Sequence, residues 1–241
     1  MRSLLFYVHL VLSAILMFPR LLLLRSRRSK LTEERYDELA NDAARKFVLS
    51  QIKWSGSKFH ITGLENIPKT GPVCYVANHQ SFFDVGVFVG YLPYSKGFIS
   101  KVELLKIPII AQWMKELKCI FIDRNDIRKS AEAIMKGIEL LKTGHSMVIF
   151  PEGTRSRGKA PQPLKGGSFK LPIRAKVPIV PVTIEGTYRA CEGNNYWIKK
   201  ADIYVTIHPA IETAGLTLPE AQKIPEMVSN IVLSPLPAPV A

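Results

Sequence analysis

Cysteine is scarce in this chain: Cys74, Cys119 and Cys191 are the only 3 in 241 residues. They are too few and too scattered for a disulfide framework or a zinc site, and they point to a reducing compartment. Cys74 and Cys119 lie in apolar, strand-like runs, where a buried small hydrophobe is the plain reading. Acidic residues are also short, 20 against 33 basic ones, leaving a formal net charge of +13. Several signatures are missing altogether: a GxSxG nucleophile elbow, a Walker-type phosphate loop, a GxGxxG turn and paired His/Cys metal spacing. Their absence removes the commonest serine-hydrolase, nucleotide and zinc readings. His9 sits in an apolar stretch, His60 and His208 in strand-like runs and His145 just before one, and each reads as structural. No internal repeat is present.

What is there begins with size. A chain of 241 residues suits one large domain or one domain with an appendage, and it is long enough to bury a substantial core. With 47% hydrophobic and 22% charged residues it is neither disordered nor wholly embedded in lipid. The positive excess favours an anionic partner: nucleic acid, an anionic membrane or a phosphorylated substrate.

The N-terminus narrows that choice. Leu4 to Met17 is apolar, followed by Phe18, Pro19, Arg20, four leucines and the basic run "RSRRSK", Arg25 to Lys30. A cleaved signal peptide has its positive charges before the apolar core, and here the order is largely reversed despite Arg2. A full span needs roughly 20 apolar residues, which this stretch reaches only by counting through Pro19 and Arg20. It therefore either spans or enters one leaflet, with the basic run on anionic headgroups at about 1 kcal/mol per charge. A buried core helix fits the abrupt basic flank less well. Membrane attachment at the cytoplasmic face of an inner membrane is expected, and the apolar anchor disfavours nucleic acid as the partner. A second, amphipathic helix is predicted over about Thr32 to Lys53, where Tyr36, Leu39, Ala43, Phe47 and Ile52 recur at helical spacing.

Beyond it the texture changes. Strands are predicted at Lys58–Thr62, Val73–Asn78, Lys96–Ser100, Cys119–Asp123, Ser146–Phe150, Ile179–Glu185 and Ile203–His208. Helices are predicted between them at Ser81–Gly90, Val102–Glu116, Ile127–Lys142 and Ser168–Ala175. Near-continuous apolar strands alternating with helices argue for an α/β domain with a mostly parallel central sheet flanked by helices, preceded by a membrane-associated helical hairpin. The expected division is 1–56 for the hairpin, 57–232 for the α/β domain and 233–241 for a loose Pro-rich tail.

In such sheets ligands collect at the carboxyl ends of the strands, and polar clusters recur there. "NHQSFFD" follows the second strand, "DRND" the fourth and "PEGTRSRGK" the fifth. If those strands are parallel neighbours, the clusters share one rim. Histidine His79 and Asp84 lie about 140° apart on a regular helix and would not meet there. They meet only if the chain turns between them, in which case Asp84 would fix the imidazole tautomer and His79 would accept a hydroxyl proton. Taken alone, a loop histidine beside a helix-starting aspartate is the plainer reading. In the third cluster Gly153 lets the backbone approach a ligand, and Arg155, Arg157 and Lys159 offer donors suited to phosphate oxygens. A solvated basic turn is the bland alternative, but Glu152 beside the arginine reads as a carboxylate that orients it. Arg124 and Lys101 follow two further strands, and together these cations look like an anion pocket.

The set "NHQSFFD", "FIDR", "FPEGTRSRG" and "VPIVPV", in that order over about Ile61 to Gly186, resembles the glycerolipid acyltransferases, especially the bacterial 1-acyl-glycerol-3-phosphate acyltransferases. The resemblance implies His79 as general base oriented by Asp84. It also implies that Lys101, Arg124 and Glu152, Gly153, Thr154 and Arg155 bind the substrate phosphate, with Lys165 a weaker candidate, and that Pro178 and Pro181 help shape the acyl-donor site. Lys118-Cys119 and Ala111 depart from the family pattern where glycine is common, without touching the chemical residues. The expected reaction moves a fatty acyl group from acyl-carrier protein or acyl-CoA to the 2-hydroxyl of lysophosphatidic acid, making phosphatidic acid. The thioester serves as co-substrate, with no other cofactor and no metal. Glycerol 3-phosphate or another lysophospholipid stands as an alternative acceptor. A lipid hydrolase or thioesterase, and a non-catalytic charged binder, are the competing classes.

Overall fold

The structure is a computed structural model that describes residues 1–123 and 126–236. Arg124 therefore lies outside the described residues, as does the end of the Pro-rich tail.

Seven strands form one sheet: β1 (Lys58–Thr62), β2 (Cys74–Ala77), β3 (Lys96–Lys101), β4 (Ile120–Ile122), β5 (Ser146–Ile149), β6 (Ile179–Glu185) and β7 (Asp202–Ile207). Their order across the sheet is β1-β7-β6-β2-β5-β3-β4. β6, β2, β5, β3 and β4 run parallel, β7 is antiparallel to β6, and β1 runs parallel to β7. The α/β fold expected from the apolar runs is the fold observed. All seven predicted strands are present, and the parallel run puts the carboxyl ends of β2, β3, β4 and β5 on one rim.

Residue pattern explains which strands sit centrally. β2 and β5 are buried at every position, as parallel strands covered on both faces must be. Along β2 the side chains alternate between two cores. Cys74 and Val76 pack with Met147 and Ile149 under α5 (Ile127–Lys142), α6 (Lys170–Ala175) and α7 (Leu218–Leu233). Tyr75 and Ala77 join Val148, Val180 and Val182 on the opposite face, beneath Val87 and Phe88 of α3 (Asp84–Tyr91). β7, by contrast, alternates exposed and buried and keeps one face in solvent.

At the N-terminus α1 (Arg2–Ser26) runs through Pro19, and α2 (Glu33–Ser55) returns along it. Thr32 caps α2 by accepting from the Arg35 N–H, and Gly56 in the left-handed region ends it. α1 meets the length and apolarity of a membrane-crossing helix, the one helix among the described residues that does. Its inner stripe, Met17, Leu21 and Leu24, packs with Tyr36, Ala40 and Ala44 of α2 and with Trp113 and Leu117. Its outer stripe, Leu4, Leu5, Val8, Val11, Leu12, Ile15 and Leu16, is exposed.

One predicted helix needs correction, and one observed helix is not predicted at all. The predicted helix over Val102–Glu116 divides into a 3-10 segment, Val102–Lys106, and α4 (Pro108–Glu116). Pro108 forces this break, since proline suits a first helical position and not an interior one. α7 is not predicted from the sequence, because Pro219 and Pro225 interrupt its apolar spacing. A capping box at Thr217 and Glu220 starts it, and Ile224, Val228 and Val232 bury it on the sheet.

Candidate active site

Where β2 ends, Asn78 pins the chain to β6. Its side-chain amide donates to the Ile184 carbonyl and accepts from the Ile184 N–H, both at 2.8 Å. The chain then turns over Gln80 and Ser81 before α3 begins at Asp84. That turn brings the imidazole and the carboxylate together: His79 Nδ1 lies 2.7 Å from Asp84 Oδ2. Asp84 is fully buried. Its Oδ2 also accepts the N–H groups of Gln80 (2.7 Å) and Ser81 (2.9 Å), and its Oδ1 accepts the Thr187 hydroxyl at 2.5 Å. A carboxylate acting as acceptor toward four donors takes a hydrogen from Nδ1. Nε2 then keeps its lone pair for the cavity. The ring lies flat against Phe150, 4.1 Å between centroids and 17° between planes.

The neighbouring loop, after β5, is tied to this turn along its length. Glu152 is buried and accepts the His79 N–H at 2.6 Å through one oxygen and the Gln162 N–H at 2.9 Å through the other. Burial pushes its carboxyl above the ordinary carboxylate range, with the two amide donors opposing that shift. Ser156 N–H donates to the His79 carbonyl and Arg157 N–H to the Gln80 carbonyl. Gly153 sits in the left-handed region at φ 74°, where the strand turns out of the sheet.

A cavity of about 690 Å³ opens in front of the pair. His79, Lys101, Arg155, Arg157 and Lys165 line one part of it, and Gly153 and Thr154 border the same wall. The rest is apolar and runs between the sheet edge and the N-terminal helices, past Ile122 and Ile134 on one side and Met17, Phe47 and Trp113 on the other. Among the described residues, no group of three or more His, Cys, Asp or Glu side chains is placed to hold a metal ion.

A family model described as Acyltransferase matches residues 58–185, from β1 to the end of β6. The chain belongs to the acyltransferase family. It is 31% identical to a 1-acyl-sn-glycerol-3-phosphate acyltransferase of Borreliella burgdorferi over 76% of this chain and 73% of that one. It is 36% identical to the chloroplastic 1-acyl-sn-glycerol-3-phosphate acyltransferase BAT2 of Brassica napus, over 72% of this chain and only 52% of that longer protein. Among solved structures it is similar to the crystal structure of the 1-acyl-sn-glycerophosphate acyltransferase PlsC of Thermotoga maritima. There the TM-score is 0.80 at 28% identity, covering 95% of this chain and 92% of that one.

In this acyltransferase the residues singled out from the sequence do not all share one place. His79, Lys101, Gly153, Thr154, Arg155 and Lys165 reach the cavity wall. Asp84 and Glu152 stand behind it, holding His79 by its ring and by its backbone. The expectation that Glu152 orients Arg155 is corrected: the partner of Arg155 is Glu192, whose Oε1 lies 3.0 Å from Nη1. Glu152 is occupied by amides, because a buried carboxylate takes the nearest unpaired N–H groups. Pro178, just before β6, and Pro181, within it, are not among the residues that line the cavity: the Pro178 carbonyl accepts the Cys74 N–H, and Pro181 pairs with Val76.

Two residues escaped sequence reasoning. Thr187 lies just past the family-like blocks, beside an "EG" turn that gave no hint of a bond to Asp84. Glu192 lies 111 positions from Ser81, with no local motif around it, and only the fold brings the two together.

Proposed function

We propose that this protein transfers a fatty acyl group from an acyl thioester to the 2-hydroxyl of 1-acyl-glycerol 3-phosphate, producing phosphatidic acid. The observation that carries this reading is the His79 Nδ1–Asp84 contact of 2.7 Å, which leaves Nε2 to a cavity whose wall also carries Lys101 and Arg155. A base and an anion grip beside an apolar channel suit a lipid with one phosphate and one reacting hydroxyl. The names of the similar proteins from Borreliella burgdorferi and Thermotoga maritima support the same substrate.

His79 Nε2 takes the hydroxyl proton as the oxygen attacks the thioester carbonyl. The tetrahedral intermediate collapses, the new ester C–O bond remains, and the C–S bond breaks. The departing sulfur takes the proton back from the imidazolium, which Asp84 stabilises. Arg155, Lys101 and Thr154, with Arg124, hold the phosphate and thereby place the hydroxyl, and the backbone at Gly153 lets it approach. Glu152 serves them indirectly by fixing the His79 backbone. The step uses no metal and no cofactor beyond the thioester co-substrate. Acyl-carrier protein and acyl-CoA are both anionic, and a chain of net charge +13 suits either.

The protein works from one leaflet, at the cytoplasmic face of the membrane. α1 is laid along the domain instead of leaving it. Near its start, Arg2 bonds the Ser55 carbonyl and Ser3 accepts the Ile198 N–H. Near its end, Arg25 bonds Gln112 and Glu116, and Trp113 donates to the Met17 carbonyl. A spanning α1 would drag both sets of partners into lipid or break them. Lying in the interface, it buries its exposed leucines and leaves Arg25 to Lys30 among headgroups. A cysteine inserted directly after Met1, and Ser29→Cys, should both react with an impermeant maleimide from the same side of a vesicle; labelling from opposite sides would establish a span.

The activity is tested with purified, detergent-solubilised protein, a long-chain acyl thioester, and lysophosphatidic acid, glycerol 3-phosphate or no acceptor. Phosphatidic acid should form only with the lysolipid, and not with His79→Ala. Thioester loss without acceptor would establish a hydrolase instead.

A further inference from the structure

Arg155 is held on two sides. Its guanidinium carbon stands 3.6 Å above the Phe82 ring, and its Nη1 donates to Glu192 Oε1 at 3.0 Å. One face is thus covered and one edge taken, leaving the remaining N–H groups for the cavity that Arg155 lines. The Glu192 side chain is 0% exposed. It also accepts the Phe82 N–H at 2.9 Å and the Ser81 hydroxyl at 2.5 Å. Ser81 is in turn one of the two residues whose backbone N–H groups hold Asp84. A single buried carboxylate therefore touches both the turn that carries the base pair and the arginine that faces the substrate.

We propose that Glu192 is a positioning residue that sets the separation between the phosphate grip at Arg155 and the base at His79, and so registers the phosphate-bearing acceptor for transfer. This rests on the lysophosphatidic acid reading above. Two physical effects oppose each other at Arg155. The carboxylate neutralises part of the guanidinium charge, which weakens phosphate binding. It also removes rotamer freedom that a loose side chain of this length would have to give up on binding. It aims the free edge as well, so that the donors meet a phosphate together. With the phenyl ring already fixing the plane, the aiming is the larger effect.

The test is steady-state kinetics of wild type, Glu192→Gln, Glu192→Asp, Arg155→Ala and the Glu192→Gln/Arg155→Ala double variant, with melting temperatures for each. Glu192→Gln keeps the side chain's shape and, through Oε1, an acceptor for the Phe82 N–H and for Arg155; its amide nitrogen must donate to the Ser81 hydroxyl where the carboxylate accepted, and the arginine's partner loses its charge. This variant should raise KM for lysophosphatidic acid about 10-fold, change kcat less than about 3-fold and leave KM for the acyl thioester unaltered. Glu192→Asp should fall between it and wild type. In the Arg155→Ala background the Glu192→Gln effect on KM should vanish, because residues acting through one contact are non-additive. An undiminished effect there, or a fall in KM, which would mean that neutralisation dominates, overturns the proposal. So does a loss of kcat and melting temperature shared by both Glu192 variants, the signature of a merely structural carboxylate. Wild type that fails to acylate lysophosphatidic acid refutes the function itself, whatever these variants do.

Discussion

The two ends of the cavity at the candidate site are built on opposite plans. At the base end, His79 is held by ring, backbone N–H and backbone carbonyl, and its partners Asp84 and Glu152 are buried with their oxygens occupied. At the cation end, Lys101, Arg157 and Lys165 are exposed, and among the described residues none has a carboxylate within ion-pair distance; Arg155 alone is anchored there. A proton transfer demands a fixed geometry, and fixing it costs least where backbone groups supply the donors. The three exposed cations supply charge within reach of a phosphate, and Arg155, held by Glu192, supplies its direction. Changes at the base end should therefore act on kcat and changes at the cation end on KM.

The largest break in that contrast is His79→Ala, expected to lower kcat by about 10³-fold with KM for the lysolipid little changed. Asp84→Asn should follow at about 10²-fold or more in kcat, since the amide offers His79 the wrong partner and turns the ring. An unchanged kcat in either variant would leave the pair without a catalytic part. At the other end, Lys101→Ala should raise KM for lysophosphatidic acid about 5-fold and leave kcat alone. Thr187→Val removes one of Asp84's four donors while the others stay, and a loss of only about 3-fold in kcat is expected. A loss near that of Asp84→Asn would show that Asp84 depends on the hydroxyl more than on the amides.

Strand β3 sharpens the same contrast with two lysines. Lys101 ends it at the cavity, whereas Lys96 begins it, buried, with its ammonium on the Leu92 and Tyr94 carbonyls. Burial, aided by the nearby Arg45 charge, depresses Lys96 to about 7 from 10.5. The unfolded chain therefore binds the proton more tightly, and the penalty is full below pH 7 and fades as pH rises toward 10.5. Between pH 7 and 9.5 the stability of wild type relative to Lys96→Met should rise with pH, by at most about 3 kcal/mol. Thermal melts of the two proteins across that range check the sign; a difference that stays flat would mean Lys96 remains charged in the fold.

Local pattern carried much of this molecule. The strands were legible because central parallel strands are apolar throughout, and α5 because its spacing is regular and Asp126 caps it. The His79–Asp84 pair was legible as residues but not as a contact, since its geometry depends on a turn that Asn78 fastens to a strand more than 100 positions away, 106 along the chain. α7 was hidden by its prolines. The partners of Asp84 and Arg155 were hidden for a different reason: Thr187 and Glu192 belong to the segment between β6 and β7, and nothing in their own neighbourhood announces which earlier loop they meet. A pairing that the fold alone creates leaves no local trace.

The reversal of direction at the sheet's end has a consequence for how the protein is made. β1 leaves the ribosome directly after the N-terminal helices, yet its partner is β7, with His60 bonded to Asp202 across 142 positions. Until almost the entire chain has emerged, β1 has no neighbour, and Asp84 and Arg155 wait for Thr187 and Glu192. Chain ends that meet this late fold slowly, because the closing loop is long. The two N-terminal helices are thus made well before the candidate site is complete.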